Sequence, residues 1–210
     1  MLENIKVLCH ATIRMNLEKV IYTDPYRVKE KYNDADIILI THSHYDHFSE
    51  EDIENVRKAD TKIVITDDLY ERAKNIGFKD ENIIVMRPYD KHTIADIEIE
   101  TIPAYNTNKD FHPKENNWVG YLLNINNTVY YVAGDTDITE ENKTVKCDVA
   151  FVPVGGTYTM TSDEAVELVN TIKPKFAVPI HYGEIVGSKE DAMNFVEHLE
   201  GGIEGKILMN

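Results

Sequence analysis

Short apolar runs alternate with polar stretches and amphipathic segments along the whole chain, so strands and helices are expected in alternation. Strands are predicted over 5–15, 19–23 and 36–40, followed by a helix that opens at Ser49 and ends near Ala59. Ser49, with Asp52 three residues on, reads as a capping box. A strand over 62–66, a helix over 68–76 and a strand over 82–86 come next. The stretch 93–103 alternates, with Ile94, Ile97, Ile99 and Ile102 as inward positions. Two β runs, 119–124 and 129–133, flank Asn126-Asn127, which signals a hairpin. The pattern closes with a strand over 149–154, a helix over 162–172, a strand over 176–180 and a helix over 189–199.

That is too many strands for one sheet covered by helices on both faces. The fold class expected is α/β, an αββα sandwich: two mixed sheets face to face with helices outside. No linker, repeat or biased segment interrupts the 210 residues, so one domain over 1–210 is expected.

Three apolar runs stop abruptly at polar residues: "ILITHSHYDH" at His42, "VYYVAGDTD" at Asp135 and "FAVPIHYG" at His181. Donors delivered from several strand ends around one crevice are how α/β proteins build sites. The first run places three of the chain's eight histidines within six residues. In its extended part side chains two apart point the same way, so His42 and His44 reach one point together. Asp46 and His47 follow at the turn and aim at a neighbouring point. The arrangement suits two metal ions side by side.

Composition changes the picture in two respects. A net charge of −15 argues against sequence-independent nucleic-acid binding, because a phosphate polymer would be repelled. Cys9 and Cys147 form no motif, and the start shows no basic or apolar leader, which leads us to expect a reduced, cytoplasmic setting. No apolar run approaches a membrane span. The expected partner is a small-molecule substrate, without nucleic acid or membrane, and the sequence carries no signal of oligomeric state.

H-x-H-x-D-H after an apolar strand, then G-D and a lone His at later strand ends, resembles the metallo-β-lactamase-fold hydrolases. "HATIRM", "YTDPY", "GDTD" and "PVGGTYTM" resemble the subgroup of the ascorbate-6-phosphate lactonase and the N-acyl-phosphatidylethanolamine phospholipase D. The resemblance implies that His42 and His44 bind a first metal, that Asp46, His47 and His181 bind a second, and that Asp135 bridges them. It also implies another first-metal histidine where this chain has Asn106. His112, six residues on, is the expected replacement, with Asn106 or water as alternatives.

Imidazole and carboxylate donors suit two divalent ions, zinc first and manganese or iron as alternatives. The activity expected is hydrolysis of a small ester, lactone or phosphoester by a metal-bound hydroxide. The rival readings are a di-metal redox or sensor protein and a nuclease. Asp46 would handle the nucleophile's proton, and Asp24 and Thr41 would fix histidine rings. His10 is a catalytic candidate or a core histidine, and Tyr158 touches substrate or packs on the next helix. Lys109 meets an anionic substrate or stays a solvated loop residue. His92 and His198 are expected to be solvated.

Overall fold

A computed structural model describes residues 1–209. The apolar runs pair into two sheets. The first holds β1 (Ile5–Cys9), β2 (Thr12–Asn16), β3 (Val20–Thr23), β4 (Ala35–Leu39), β5 (Arg57–Ile65) and β6 (Ile83–Val85), in that spatial order. The second runs from β7 (Lys91–Ile94) through β8 (Ile97–Pro103), β9 (Val119–Ile125), β10 (Thr128–Val132), β11 (Val149–Pro153) and β12 (Phe176–Ile180) to β13 (Glu204–Gly205). Each sheet is mixed: an antiparallel meander comes first, and parallel strands joined by longer connections follow.

The sheets bury their inner faces against each other, with Ile13, Ile37 and Val64 from one meeting Ile99, Tyr121 and Val178 from the other. Helices α1 (Glu50–Val56) and α2 (Tyr70–Asn75) cover the outer face of the first sheet through Ile53, Val56 and Ala73. Helices α3 (Ser162–Ile172) and α4 (Lys189–Glu197) cover the second through Leu168, Val169 and Phe195. This is the expected αββα sandwich.

Local differences have local causes. The run 5–15 is a hairpin, folded at His10 in the left-handed region (φ 52°), where the sequence offers no glycine, asparagine or proline to announce a turn. Likewise 93–103 folds at Ala95 and Asp96 (φ 48° and 71°). Ile94, Ile97 and Ile99 face the inter-sheet core, whereas Ile102 has the opposite parity and packs toward the helices. The first helix ends at Val56 because Arg57 already pairs with Ala35 in the sheet. Ser49 caps it by accepting from the Asp52 amide. The Asp52 carboxylate does not reciprocate, and accepts instead from the amides of Arg27 and Val28 (2.8 and 2.7 Å). His92 lies on β7.

One edge of the sandwich joins the sheets through polar contacts. The Tyr121 hydroxyl donates to the Ile40 carbonyl (2.7 Å), the Val119 amide to Thr41 (3.2 Å) and the His181 amide to His10 (2.9 Å). Gly134 passes so close that a Cβ there would lie 2.9 Å from the Val119 carbonyl, and its φ of 68° suits glycine. The polar ends of β4, β10 and β12 all open onto this edge.

Candidate metal centre

The centre begins where β4 runs out. Asp24, 1% exposed, accepts from the Thr41 amide and hydroxyl, each at 2.8 Å. Its Oδ2 also lies 2.8 Å from His47 Nδ1. An ionised carboxylate only accepts, so His47 carries its proton on Nδ1 and turns Nε2 inward. The Thr41 hydroxyl directs its single proton to Asp24 and therefore accepts from His42 Nδ1 at 3.0 Å. This leaves His42 Nε2 with a free lone pair, 3.0 Å from His44 Nδ1. One buried aspartate thus sets the tautomers of two histidines, as expected of Asp24 and Thr41 from their strand-end positions.

Two groups of donors result. His42, His44 and His112 present nitrogens within 4.8 Å of one another, and so do the donors of His10, Asp46, His47 and His181. Asp135 lies between them. Its carboxylate is 3.2 Å from His112 Nε2, 3.0 Å from His181 Nε2, 3.4 Å from His47 Nε2 and 3.9 Å from His42 Nε2.

The residues fit a cation. Nε2 of His10, His47, His112 and His181 is in each case buried and without a hydrogen-bond partner, although nearly every buried polar atom in a protein finds one. All four face the carboxylates of Asp46 or Asp135. Burial works against Asp135, but the imidazoles of His181 and His47 hold its carboxyl well below the usual range. Burial keeps the His42 pKa well below that of a free imidazole, so the ring is neutral, the form that ligates metal. His47 behaves differently. Burial opposes its proton, yet Asp135 and Asp24 push its pKa well above the ordinary value, so a bound metal must displace a proton there.

Of the residues singled out in the sequence, His42, His44, Asp46, His47, Asp135 and His181 meet at this edge. His112 arrives from the loop 104–118 and joins His42 and His44. Asn106 stands behind it, its amide nitrogen 3.3 Å from His112 Nδ1 and donating to the Tyr158 carbonyl at 2.8 Å. His10 is fully buried, with Nε2 3.3 Å from Asp46 Oδ2, and burial lowers its pKa to about 4. Tyr158 is half-buried and lines a cavity of about 250 Å³ over the centre. Lys109 pairs with Asp137 and does not line that cavity. His92 and His198 are exposed and remote from the cluster.

Sequence reasoning missed the residues that surround the donors. Trp118 packs its ring 4.8 Å from those of both His42 and His44. Tyr45, Phe111 and Ile185 line the cavity. Tyr45 and Phe111 each adjoin a donor in the chain, which was the available signal; Ile185 had none.

The β-lactamase superfamily domain matches residues 4–181 of the chain. A UPF0173 metal-dependent hydrolase of Thermococcus kodakarensis is 33% identical over 191 residues, covering 85% of this chain and 84% of the relative. Its counterpart in Nanoarchaeum equitans is 30% identical over 97% of this chain and 95% of its own length. A crystal structure from Parabacteroides distasonis, described as of a metal-dependent hydrolase, superposes with a TM-score of 0.83 at 32% identity, over 98% of this chain and 93% of that one. With sandwich, strand-end donors and these likenesses in agreement, the chain belongs to the metal-dependent hydrolases of the metallo-β-lactamase fold, in the UPF0173 family.

Proposed function

We propose that the centre holds two divalent ions, zinc first and manganese or iron as alternatives, and hydrolyses a small ester, lactone or phosphoester. The observation that carries this reading is the set of four buried Nε2 atoms without partners, all turned toward two carboxylates. His42, His44 and His112 would hold one ion, Asp46, His47 and His181 the other, with Asp135 reaching both. Bound there, the ions would supply Lewis acidity and a hydrolytic nucleophile near neutral pH.

The chain's own residues supply the rest. Asp46 accepts the nucleophile's proton, and the buried His10 ring packs beside it, with Nε2 3.3 Å from the Asp46 carboxylate. Tyr158 borders the cavity from the side of β11, positioned to meet the substrate. Water's oxygen bonds to the acyl or phosphoryl centre as the bond to the departing oxygen breaks. The leaving alcohol then takes up a proton. The motif likeness to the lactonase and phospholipase D subgroup belongs to this reading. So does a cytoplasmic setting, supported by two unpaired cysteines, Cys9 and Cys147. Among the described residues no helix is long and apolar enough to cross a membrane.

The test is metal analysis of protein purified without oxygen, followed by stripping, refilling and an ester and phosphoester screen. Two equivalents per chain and activity that follows them are expected. Asp46→Asn should stay folded and lose about 10²–10⁴-fold in kcat, the usual scale for a proton-handling group. Intact turnover in that variant would reduce Asp46 to a structural role, and a single equivalent would remove the dinuclear centre.

A further inference from the structure

We propose that the substrate is a neutral carboxylic ester or lactone carrying one apolar group of about a ring's size. This inference rests on the hydrolytic reading and narrows its substrate. The donors form the floor of the cavity over the centre, and Tyr45, Phe111, Tyr158 and Ile185 form its walls. Tyr45 and Phe111 are 64% and 46% exposed, two of the few large hydrophobic side chains left in solvent. Both stand at the mouth of one polar centre, and apolar surface gathered around convergent polar groups marks a ligand site. The rings are braced. Phe111 meets Tyr158 edge to face at 4.7 Å, and Tyr45 meets Tyr26 at 6.0 Å. At about 250 Å³ the cavity lies just below the common range of about 300–1,000 Å³, which favours a small substrate.

Charge narrows the class further. Among the described residues no lysine or arginine lines the cavity. Lys109 and Lys114, which flank Phe111 and His112 in the chain, are engaged elsewhere, with Asp137 and Glu141; Arg27 pairs with Glu184, and Arg72 donates to the carbonyls of Ser43 and Phe48. The chain as a whole carries −15. Beyond the metal positions, no described cationic side chain in the cavity would pair with a second negative charge on a substrate, and the whole-protein field repels one. In the reaction, water's oxygen bonds to the acyl carbon and the carbon–oxygen bond of the ester breaks. The alkoxide leaves with a proton, and the acid ionises.

The test uses metal-loaded protein and matched methyl esters. Methyl benzoate should have a KM about 10-fold below that of methyl acetate, the scale of a modest apolar contact. Methyl 4-acetylbenzoate should exceed monomethyl terephthalate, its anionic near-isostere, in kcat/KM by about 10-fold or more. Phe111→Ala and Tyr45→Ala should narrow the benzoate-over-acetate preference through KM, as loss of binding common to ground and transition states does. A preference for the anion, a higher kcat/KM for phenyl phosphate than for methyl benzoate, or a preference unmoved in both variants overturns the proposal. If the loaded protein hydrolyses none of these, the hydrolytic reading fails separately. Quenching of Trp118, which touches His42 and His44, then decides the ligand class. Tighter binding of benzamide than acetamide, weakened in Phe111→Ala, would then keep the apolar ligand site while the ester assignment falls with the hydrolytic reading, and equal binding ends both.

Discussion

The two halves of the candidate centre are held in different ways. His47 and His181 stand at the ends of a strand-to-helix turn and of β12; a buried side chain fixes the first, and a backbone contact between the sheets fixes the second. His47 is oriented by Asp24 at 2.8 Å, and the His181 amide donates to His10 at 2.9 Å. His112 instead rides on the loop 104–118, in a left-handed conformation (φ 53°). Its carbonyl accepts from the Asn106 amide at 2.9 Å, which closes the loop's neck. Asp137 then ties the loop to the end of β10, accepting from the Thr107 amide at 2.8 Å and pairing with Lys109. Side chains on packed strands are placed more firmly than side chains on loops. One position is therefore built by the fold, and the other is completed by a tether.

The sharpest way to break this contrast is at His112. If the loop donor completes the first position, His112→Ala should weaken one of two bound equivalents by more than about 100-fold, beyond the effect of losing an outer-shell partner. Asn106→Ala should cost about 10-fold, because it removes only the group behind the ring. Calorimetric metal titration of both variants separates the alternatives. The reverse order would assign the donor to Asn106, and full occupancy in both would mean that water fills the place.

The strand-end half should respond to Asp24. Asp24→Asn keeps the shape but replaces one of the two carboxylate acceptors by an NH2 donor, so the Thr41 amide, the Thr41 hydroxyl and His47 Nδ1 can no longer all be accepted. An about 10–100-fold loss of metal affinity is expected, typical of a ligand's hydrogen-bond partner. The loss should be larger at the position that includes His47. A loss confined to the His112 position would show that the two halves are not separately built.

The same contrast explains what could be read in the sequence. H-x-H-x-D-H stood on a predicted strand end, and alternation along a strand is a local property, so His42 and His44 were placed together from spacing alone. Asp135 and His181 were legible because apolar runs end abruptly at them. His112 was not placed by spacing, since no local period governs a long loop; only the need for a donor pointed there. The hairpin at His10 was hidden because a histidine supplies the left-handed turn, and the missed turn hid how His10 comes to face Asp46. Ile102 shares β8 with Ile97 and Ile99 but stands an odd number of residues from both, so alternation along the strand turns it to the helix side. Contacts between segments, such as Trp118 on the histidine rings, leave no trace in a single periodicity.

The smallest expected effect lies at the base of the loop. Glu141 accepts from the Tyr105 hydroxyl at 2.7 Å and from Lys114 at 2.8 Å, clamping both ends of the segment that carries His112. Burial raises the Glu141 pKa, but the hydrogen bonds from Lys114 and Tyr105 prevail and bring it down to about 2, against 4.5 for the free side chain. A folded-state pKa below the unfolded one means that the clamp contributes fully above about pH 4.5. Its contribution fades as pH falls toward about 2, because the unfolded chain takes up the proton first. Glu141→Gln should therefore lower the Tm of metal-free protein at pH 7 by no more than about 3 °C, the scale of one partly exposed ion pair in a chain of this size. The gap between wild type and variant should shrink steadily as pH falls from about 4.5 toward about 2, the window set by the two pKa values. Metal-free protein is the right material, since acid also strips ligands from metal and would mask so small a term. A gap that stays constant across that range would show that the Glu141 charge does not hold the loop, and would leave Asp137 as its principal tether.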